Sequence, residues 1–265
     1  CRRHRIPVVA RGGGTSVAGN SISSGIVLDF SRHMHRILHI DPQARTAIVE
    51  PGVVMSDLQA AAAPYGLRFG PDPSTQNRAT FGGMVGNNAC GPHAVAWGRT
   101  ADNVLELRCI DGTGREFTAG AGEMSEPLAE LVAANLSDIR TNLGRFPRQV
   151  SGYALEHLLP ENGRDLAKML VGSEGTLVTL LEIKLRLVPL AAAPMLVVLG
   201  YPDMPAAADA VPDILPYKPL AIEGMDRELV EVVRRARGEV PELPDGGGWL
   251  LVEVGAQEGE DPQEV

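Results

Sequence analysis

The sequence has few aromatic residues, few cysteines and no apolar run long enough to cross a membrane. Phe, Trp and Tyr make up 4% of the 265 residues, so aliphatic side chains must fill the core. Cys1, Cys90 and Cys109 lack Cys-x-x-Cys spacing, which argues against a disulfide framework or a zinc site and fits a reducing cytosol. The longest apolar stretch, residues 187–201, is interrupted by prolines and is too short to span a bilayer. We therefore expect no transmembrane segment.

Positive charge is also scarce. Lys and Arg number 24 against 33 Asp and Glu, which gives a net charge of −9 at pH 7. This balance argues against a general binder of nucleic acid or of anionic membranes. The length exceeds that of a usual single domain, and the first residue is Cys rather than Met. The chain is therefore expected to be a piece of a longer protein, with one large domain and part of a second.

Residues 11–20 read Arg-Gly-Gly-Gly-Thr-Ser-Val-Ala-Gly-Asn and follow an apolar run, residues 6–10, that predicts a short strand. Consecutive glycines let the backbone take positive φ and approach a ligand closely, and successive N–H groups in such a turn form a concave anion site. The hydroxyls of Thr15 and Ser16 add hydrogen-bond donors. The stretch predicts a pyrophosphate cradle built mainly from backbone amides, with a plain glycine-rich turn between strands as the alternative.

Two better-known phosphate loops match this stretch only in part. The dinucleotide fingerprint Gly-x-Gly-x-x-Gly fails because Val17 stands where the third glycine belongs. The P-loop pattern fits from Gly14 to Ser21 except that Asn20 replaces the lysine that holds the β- and γ-phosphates. Because this lysine is missing, a nucleoside triphosphatase is disfavoured.

Residues 70–98 are rich in Gly, Asn and Pro and show neither helical nor strand periodicity, which predicts a ligand-lining loop with one helical turn at 83–88. Elsewhere the pattern predicts a helix over 56–65 with Ser56 as its N-cap, and a second helix over 126–143. Beyond Pro189 strands and helices alternate, and we place a domain boundary there.

Three stretches together resemble motifs of FAD-linked oxidases of the p-cresol methylhydroxylase and vanillyl-alcohol oxidase type. They are residues 11–20, the Pro-Asp-Pro-Ser and Gly-Gly-Met-Val-Gly-Asn-Asn pieces within residues 71–88, and Gly-Ser-Glu-Gly-Thr-Leu at residues 172–177. Two fuller runs, residues 87–103 and 146–160, resemble the glycolate, D-lactate and D-2-hydroxyglutarate dehydrogenase branch. In its large subgroup the flavin part is fused to an iron–sulfur part.

The resemblance implies an α+β fold in which two subdomains hold FAD between them, followed by the start of an α/β cap domain. Residues 1–189 would form the FAD-binding domain, without its N-terminal strand and helix, and residues 190–265 a truncated substrate or cap domain. Carried over by motif, the residues around the pyrophosphate would be Gly12, Gly13, Gly14, Thr15, Ser16, Gly19 and Asn20. Those along the ribityl chain and the flavin would be Pro71, Asp72, Ser74, Thr80, Gly82, Gly83, Asn87, Asn88, Gly91 and Gly98. Those by the nucleotide half would be Glu174, Gly175 and Val178.

Some relatives of this type bond the flavin covalently through a histidine in the glycine loop. Here that region reads Gly14-Thr15-Ser16, so we expect dissociable, non-covalent FAD. Cys90 offers a possible cysteinyl–flavin bond, but a small residue packed under the loop is the favoured interpretation, since cysteine is often simply buried.

No local signature identifies a catalytic residue. His93 could face a substrate, and Arg145, Arg148 and Tyr153 could clamp a substrate carboxylate, because arginine offers a bidentate fork. A surface arginine pair is the alternative. The histidines within residues 33–39 have spacing that could suit a metal, but a solvated turn is favoured and no metal ligand is assigned.

The resemblance implies an FAD-dependent enzyme that oxidises a D-2-hydroxy acid such as D-lactate, glycolate or D-2-hydroxyglutarate by hydride transfer to flavin. Electrons would pass to an iron–sulfur protein or a quinone, and an iron–sulfur cluster would lie in a fused or partner region. We expect a cytoplasmic protein or one peripheral to the inner face of the membrane. The general base would lie outside this chain, so the chain alone is expected to be nearly inactive. Reduction of an enol-ether nucleotide sugar and non-redox nucleotide binding are the alternatives.

Overall fold

The computed structural model describes residues 1–122, 124–146, 148, 150 and 152–256. The run 146–160 and the expected cap domain at 190–265 therefore each include residues outside the described set. The strands are β1 Val8–Arg11, β2 Ile26–Asp29, β3 Ile37–Asp41, β4 Thr46–Val49, β5 Leu67–Arg68, β6 Val104–Asp111, β7 Glu116–Ala119, β8 Val178–Arg186, β9 Val188–Pro189, β10 Ala192–Tyr201, β11 Ala221–Asp226 and β12 Gly248–Ala256. The α-helices are α1 Met55–Ala62, α2 Phe81–Asn87, α3 Ala94–Trp97, α4 Thr100–Asn103, α5 Glu126–Ala134, α6 Leu136–Asn142, α7 Leu166–Leu170, α8 Met204–Ile214 and α9 Arg227–Arg237.

The chain divides into two compact units. The first comprises Cys1–Gly91 and Trp97–Val188, and the second comprises Pro92–Ala96 and Pro189–Val265. The two units are defined by compactness alone. The predicted assignment of 1–189 to cofactor binding and of 190–265 to a substrate or cap domain concerns function. That assignment stays a prediction.

The first unit is built on an antiparallel sheet with strand order β3-β4-β8-β6-β7. Its middle strand, β8, buries Ile183 and Leu185 completely. Helix α1 buries Met55, Leu58 and Ala62, which share one side of the helix. The small number of aromatic residues leaves one edge-to-face pair, Phe69 and Phe81, with ring centroids 5.1 Å apart, inside an otherwise aliphatic core of the described residues.

Two helices differ from the sequence prediction in detail. The helix expected over 56–65 is present, but its N-cap is Val54 rather than Ser56, and it tightens into a 3-10 turn at Ala63–Tyr65. The helix expected over 126–143 is divided into α5 and α6 at Asn135, whose backbone leaves the helical region at φ −116° and ψ 18°. The Asn135 side chain donates to the Leu131 carbonyl at 2.8 Å, so it competes with the backbone for a helix acceptor.

The second unit contains a three-stranded antiparallel sheet with order β10-β12-β11. Both of its long helices begin at an aspartate cap: Asp203 accepts from the Ala206 N–H at 2.9 Å, and Asp226 accepts from the Leu229 N–H at 2.7 Å. Arginines in the last turn of α9 complement the negative end of the helix dipole. The strand–helix alternation that the sequence predicts beyond Pro189 is therefore present.

Gly52, in the turn between β4 and α1, has no room for a side chain. A Cβ there would lie 2.1 Å from the Phe30 carbonyl oxygen and 2.5 Å from that of Met34. We expect Gly52→Ala to lower the free energy of unfolding by about 1–3 kcal/mol, because backbone atoms must move to admit the methyl group. Urea denaturation measures this.

The matched control is Gly112→Ala in the turn between β6 and β7, where a Cβ would meet no described atom within 4 Å. This variant should stay within about 0.5 kcal/mol of the parent. Equal stability of the two variants would show that the Gly52 turn relaxes without cost.

Candidate cofactor site

A cavity of about 330 Å³ lies within the first unit. Three segments enclose it: the glycine loop after β1, helix α2, and the Gly-Ser-Glu-Gly turn that precedes β8. Its volume is at the lower end of the range typical of ligand pockets. Glycine and small polar residues form much of the wall, so backbone atoms are exposed to whatever occupies the cavity.

The glycine loop is fixed by direct packing on the residues before α2. A Cβ on Gly12 would lie 1.9 Å from the Thr80 hydroxyl oxygen, and one on Gly13 would lie 2.1 Å from the Arg78 carbonyl oxygen. Gly14 takes φ +63°, in the left-handed region that favours glycine. The three consecutive glycines are therefore required by the fold, and they leave the backbone of the loop on the cavity wall.

Helix α2 contributes three glycines, Gly82, Gly83 and Gly86, to the cavity wall. Thr80 caps it, with its hydroxyl 3.4 Å from the Gly83 N–H, and Phe81, Met84 and Val85 are its buried residues. The sequence predicts a helical turn at 83–88, and the helix begins two residues earlier because of this cap. Gly83 and Gly86 line the cavity, and the nearest described atoms to a Cβ at these positions lie at 3.5 Å and 3.8 Å.

These two glycines are unfavourable inside a helix, since each destabilises it by roughly 0.5–1 kcal/mol relative to alanine. The surrounding protein leaves ordinary van der Waals room for a methyl group at both. The space that the missing methyl groups would fill is the cavity itself. The two glycines therefore leave the backbone of the helix accessible from the cavity.

The third segment is joined to the end of α2 by backbone hydrogen bonds. The Gly172 N–H donates to the Val85 carbonyl at 2.8 Å, and the Glu174 N–H donates to the Gly86 carbonyl at 2.9 Å. Glu174 holds φ +54°, which is uncommon for a residue with a side chain. Residues distant in sequence are in this way brought to one wall.

Among the described residues on the cavity wall, Arg11 and Glu174 carry the only charges. A hydrogen bond from the Ser31 hydroxyl lowers the pKa of Asp29, and the positive charge of Arg11 lowers it further. The Arg11 guanidinium lies close to Gly14, with 3.1 Å between Nη2 and a Cβ placed there. One cation beside the exposed backbone of a glycine loop suits an anionic group.

The cavity brings together many of the residues predicted to bind cofactor. Those that line it are Gly12, Gly13, Gly14, Thr15, Ser16, Asn20, Thr80, Gly82, Gly83, Asn87, Glu174, Gly175 and Val178. Those that do not are Gly19, Pro71, Asp72, Ser74, Asn88, Gly91 and Gly98. Direct contact of either set with a cofactor stays a prediction.

Several residues of the second set have structural partners. Asn88 ends α2 at φ +46°, and its side-chain oxygen accepts from the Ala101 N–H at 3.0 Å. A Cβ on Gly91 would lie 2.2 Å from the Asp72 carbonyl oxygen. Gly98 takes φ +76°. These residues hold the irregular segment after α2 in place.

The cavity also includes residues that the sequence prediction left out. Arg11 and Ser173 stand inside the quoted motifs, so the glycine patterns themselves could have indicated them. Pro51 comes from the turn after β4, and its carbonyl accepts from the Gly82 N–H at 2.7 Å. No local signal links that turn to the glycine loop.

The predicted catalytic candidates are not among the described residues that line the cavity. His93 Nε2 lies 3.3 Å from Glu253 Oε2 in the second unit. Arg148 donates to the Cys90 sulfur at 2.7 Å, and the Tyr153 hydroxyl lies 2.8 Å from that of Thr176. Their roles stay predictions.

Within the described ranges, which stop at residue 256, there is no cluster of three or more His, Cys, Asp or Glu side chains that could hold a metal. In the same part of the chain, no helix combines the length and apolar character needed to cross a membrane.

Comparison with known proteins places this geometry in a class. Residues 1–120 match the family described as FAD binding domain. The chain is 35% identical over 246 residues to D-2-hydroxyglutarate dehydrogenase of Pseudomonas putida, covering 86% of this chain and 24% of that protein. It is 34% identical over 237 residues to glycolate oxidase subunit GlcD of Bacillus subtilis, covering 88% and 43%. It is 31% identical over 250 residues to D-lactate dehydrogenase of Archaeoglobus fulgidus, covering 93% and 48%.

A solved structure of alkyldihydroxyacetonephosphate synthase covers 97% of this chain and 44% of that chain, with a TM-score of 0.67 at 18% identity. Residues 1–120 are therefore similar to an FAD binding domain, and the predicted α+β fold of the p-cresol methylhydroxylase type is confirmed. The resemblance to the glycolate, D-lactate and D-2-hydroxyglutarate dehydrogenase branch is confirmed by the named relatives. The chain spans between a quarter and a half of the length of these relatives.

The residues that line the cavity suit part of FAD, the cofactor that this family indicates. Backbone N–H groups and Arg11 suit a diphosphate, and the glycines of α2 admit a flat or extended group at close range. The residues present thus supply both kinds of surface that a dinucleotide needs.

Gly83→Ala should change the stability of the helix and the affinity for FAD in opposite directions. We expect the variant to raise the free energy of unfolding of the FAD-free protein by about 0.5–1 kcal/mol, because alanine favours the helix. We expect it to weaken FAD binding about tenfold, because the methyl group overpacks the cavity. Urea denaturation and quenching of flavin fluorescence are the two measurements.

Gly82→Ala is the control within the same helix. Its Cβ would lie 2.8 Å from Pro51 Cβ, so stability should fall rather than rise. Unchanged FAD affinity in Gly83→Ala would mean that this face of α2 does not contact the cofactor.

Proposed function

We propose that the chain is the FAD-binding part, with part of a substrate domain, of an enzyme that oxidises a D-2-hydroxy acid. The observation that supports this most is the cavity wall of backbone groups contributed by three glycine-rich segments. The relatives named D-2-hydroxyglutarate dehydrogenase, D-lactate dehydrogenase and glycolate oxidase subunit narrow the substrate to a small 2-hydroxy acid.

In this proposal the protein orients the cofactor and shields it. The glycine loop and Arg11 hold the diphosphate, the glycines of α2 support the extended part of the cofactor, and the turn at Glu174 closes one side. Bound FAD supplies the hydride acceptor for oxidation at the substrate Cα. Residues 190–265 belong to a substrate or cap domain, and the electrons pass on to an iron–sulfur protein or a quinone. The whole protein is cytoplasmic or peripheral to the inner face of the membrane.

The FAD is held without a covalent bond. Thr15 and Ser16 occupy the part of the loop where some relatives carry the bonding histidine. Cys90 is not among the described residues on the cavity wall and accepts a hydrogen bond from Arg148. Cys109 is buried in β6, where burial raises the pKa of its thiol to about 11, so it serves the core.

An absorbance spectrum taken before and after acid precipitation tests this proposal directly. The purified chain, supplied with FAD, should show flavin absorbance, and acid should release that flavin into the supernatant. Cys90→Ser should release it equally. Flavin that stays in the pellet of the parent but not of the variant would establish a cysteinyl bond, and no flavin at all would refute the proposed function.

The oxidation itself is tested in a longer protein that contains this chain. Anaerobic addition of D-lactate, D-2-hydroxyglutarate or glycolate should bleach the flavin absorbance, and the L enantiomers of the two chiral acids should not. Equal bleaching by both enantiomers would contradict the proposed D specificity.

We expect Arg11 to supply the positive charge that attracts the diphosphate of FAD. Arg11→Gln should weaken FAD binding about tenfold at low salt, because charge-assisted hydrogen bonds are stronger than neutral ones. The difference from the parent should shrink at high salt. Arg32→Gln, an exposed arginine that is not on the described cavity wall, is the control. Similar affinities of the two variants would exclude a diphosphate contact by Arg11.

A further inference from the structure

Two side-chain amides form a short hydrogen-bonded relay on the cavity wall. Asn87 Nδ2 donates to the Gly83 carbonyl oxygen at 2.9 Å, and Asn20 Nδ2 donates to Asn87 Oδ1 at 3.0 Å. The relay connects the glycine loop to α2. Its last atom, Asn20 Oδ1, is buried and accepts no hydrogen bond from any described residue.

The direction of the relay follows from its first acceptor. The Gly83 carbonyl oxygen can only accept, so Asn87 must turn its amide nitrogen toward it. The Asn87 oxygen is then the acceptor for Asn20, and Asn20 must donate from its amide nitrogen. The Asn20 oxygen is thereby fixed as an acceptor that cannot exchange places with its nitrogen without breaking the relay.

A buried acceptor without a donor is unfavourable, and such groups in folded proteins nearly always have a partner. Asn20 lines the cavity that suits part of FAD, so the partner that the protein lacks can come from the cofactor. Diphosphate oxygens only accept hydrogen bonds and would meet the Asn20 oxygen with repulsion. The donors on FAD are the hydroxyls of the ribityl chain and the ribose, the flavin N–H and the adenine amino group.

We propose that Asn20 Oδ1 accepts a hydrogen bond from a hydroxyl or N–H group of FAD, oriented for this by Asn87 and the Gly83 carbonyl. This inference rests on the proposed function for the identity of the ligand. It replaces the role predicted from the motif, in which Asn20 closes the loop around the pyrophosphate. Asn20 is then a cofactor-positioning residue that recognises a sugar-like or heterocyclic donor and does not recognise phosphate.

Asn20→Leu tests the acceptor because it removes the amide at similar side-chain volume. FAD affinity, measured by quenching of flavin fluorescence on the 265-residue chain, should fall about three- to tenfold, the effect of losing one neutral hydrogen bond. Thermal melting without FAD should be unchanged or raised, since the substitution removes an unsatisfied buried oxygen. Asn135→Leu, which alters an exposed amide bonded only to its own helix, should leave FAD affinity unchanged.

Asn87→Leu tests the relay. It leaves the Asn20 oxygen in place but frees it to turn, so it should weaken FAD binding by a smaller factor than Asn20→Leu. The double variant should bind no more weakly than Asn20→Leu alone, because orientation has no value once the acceptor is gone. Additive losses would show that the two side chains act independently.

Competition against bound FAD by ADP and by riboflavin locates the donor. In Asn20→Leu the competition by one of these two ligands should weaken while that by the other is unchanged, and the affected ligand carries the donor group. Equal weakening of both would mean general damage to the loop and would overturn the proposal. So would FAD affinity equal to that of the parent, which is the result expected if a buried water satisfies the oxygen.

These experiments distinguish failure of the Asn20 role from failure of the proposed function. Failure of the parent chain to bind FAD refutes the function. Normal FAD binding by the parent together with normal binding by Asn20→Leu refutes only the role of Asn20.

Discussion

The site depends on the close approach of three backbone segments. Gly12 and Gly13 pack against the Thr80 hydroxyl and the Arg78 carbonyl, and the last turn of α2 accepts backbone hydrogen bonds from Gly172 and Glu174. Contacts this short leave no space for side chains on the glycine side. The result is a cavity wall in which glycine backbone is exposed beside a few side chains.

A wall that includes a glycine-rich helix is disfavoured by local helix propensity, and tertiary packing stabilises that helix. The seven-residue α2 is too short and too rich in glycine to form alone. The Thr80 cap and the burial of Phe81, Met84 and Val85 stabilise it from one side. Gly83 and Gly86 have ordinary van der Waals room for a methyl group, so packing within the described protein does not require glycine at these two positions.

The sequence was most informative where one residue type has a single physical use. Consecutive glycines predicted the loop, and the apolar run at residues 6–10 predicted the strand before it, β1. It was less informative where direction matters: Asn87 and Asn88 are neighbours in one motif, yet Asn87 faces the cavity while Asn88, at φ +46°, bonds the Ala101 N–H. A motif records which residues occur, whereas the helix end decides which way each side chain points. The contribution of Pro51 depends on long-range packing and has no local signature.

The glycine loop differs in chemistry from a P-loop at the position of Asn20. Where that motif carries a lysine, this chain has Asn20, and the relay through Asn87 leaves its buried oxygen without a donor from the described residues. A lysine ammonium has only donors and attracts phosphate, while an amide oxygen has only lone pairs and repels it. The same position therefore has opposite polarity in the two loops. In a chain of net charge −9, Arg11 and the backbone N–H groups remain to hold a diphosphate, and Asn20 is left to recognise a different part of the ligand.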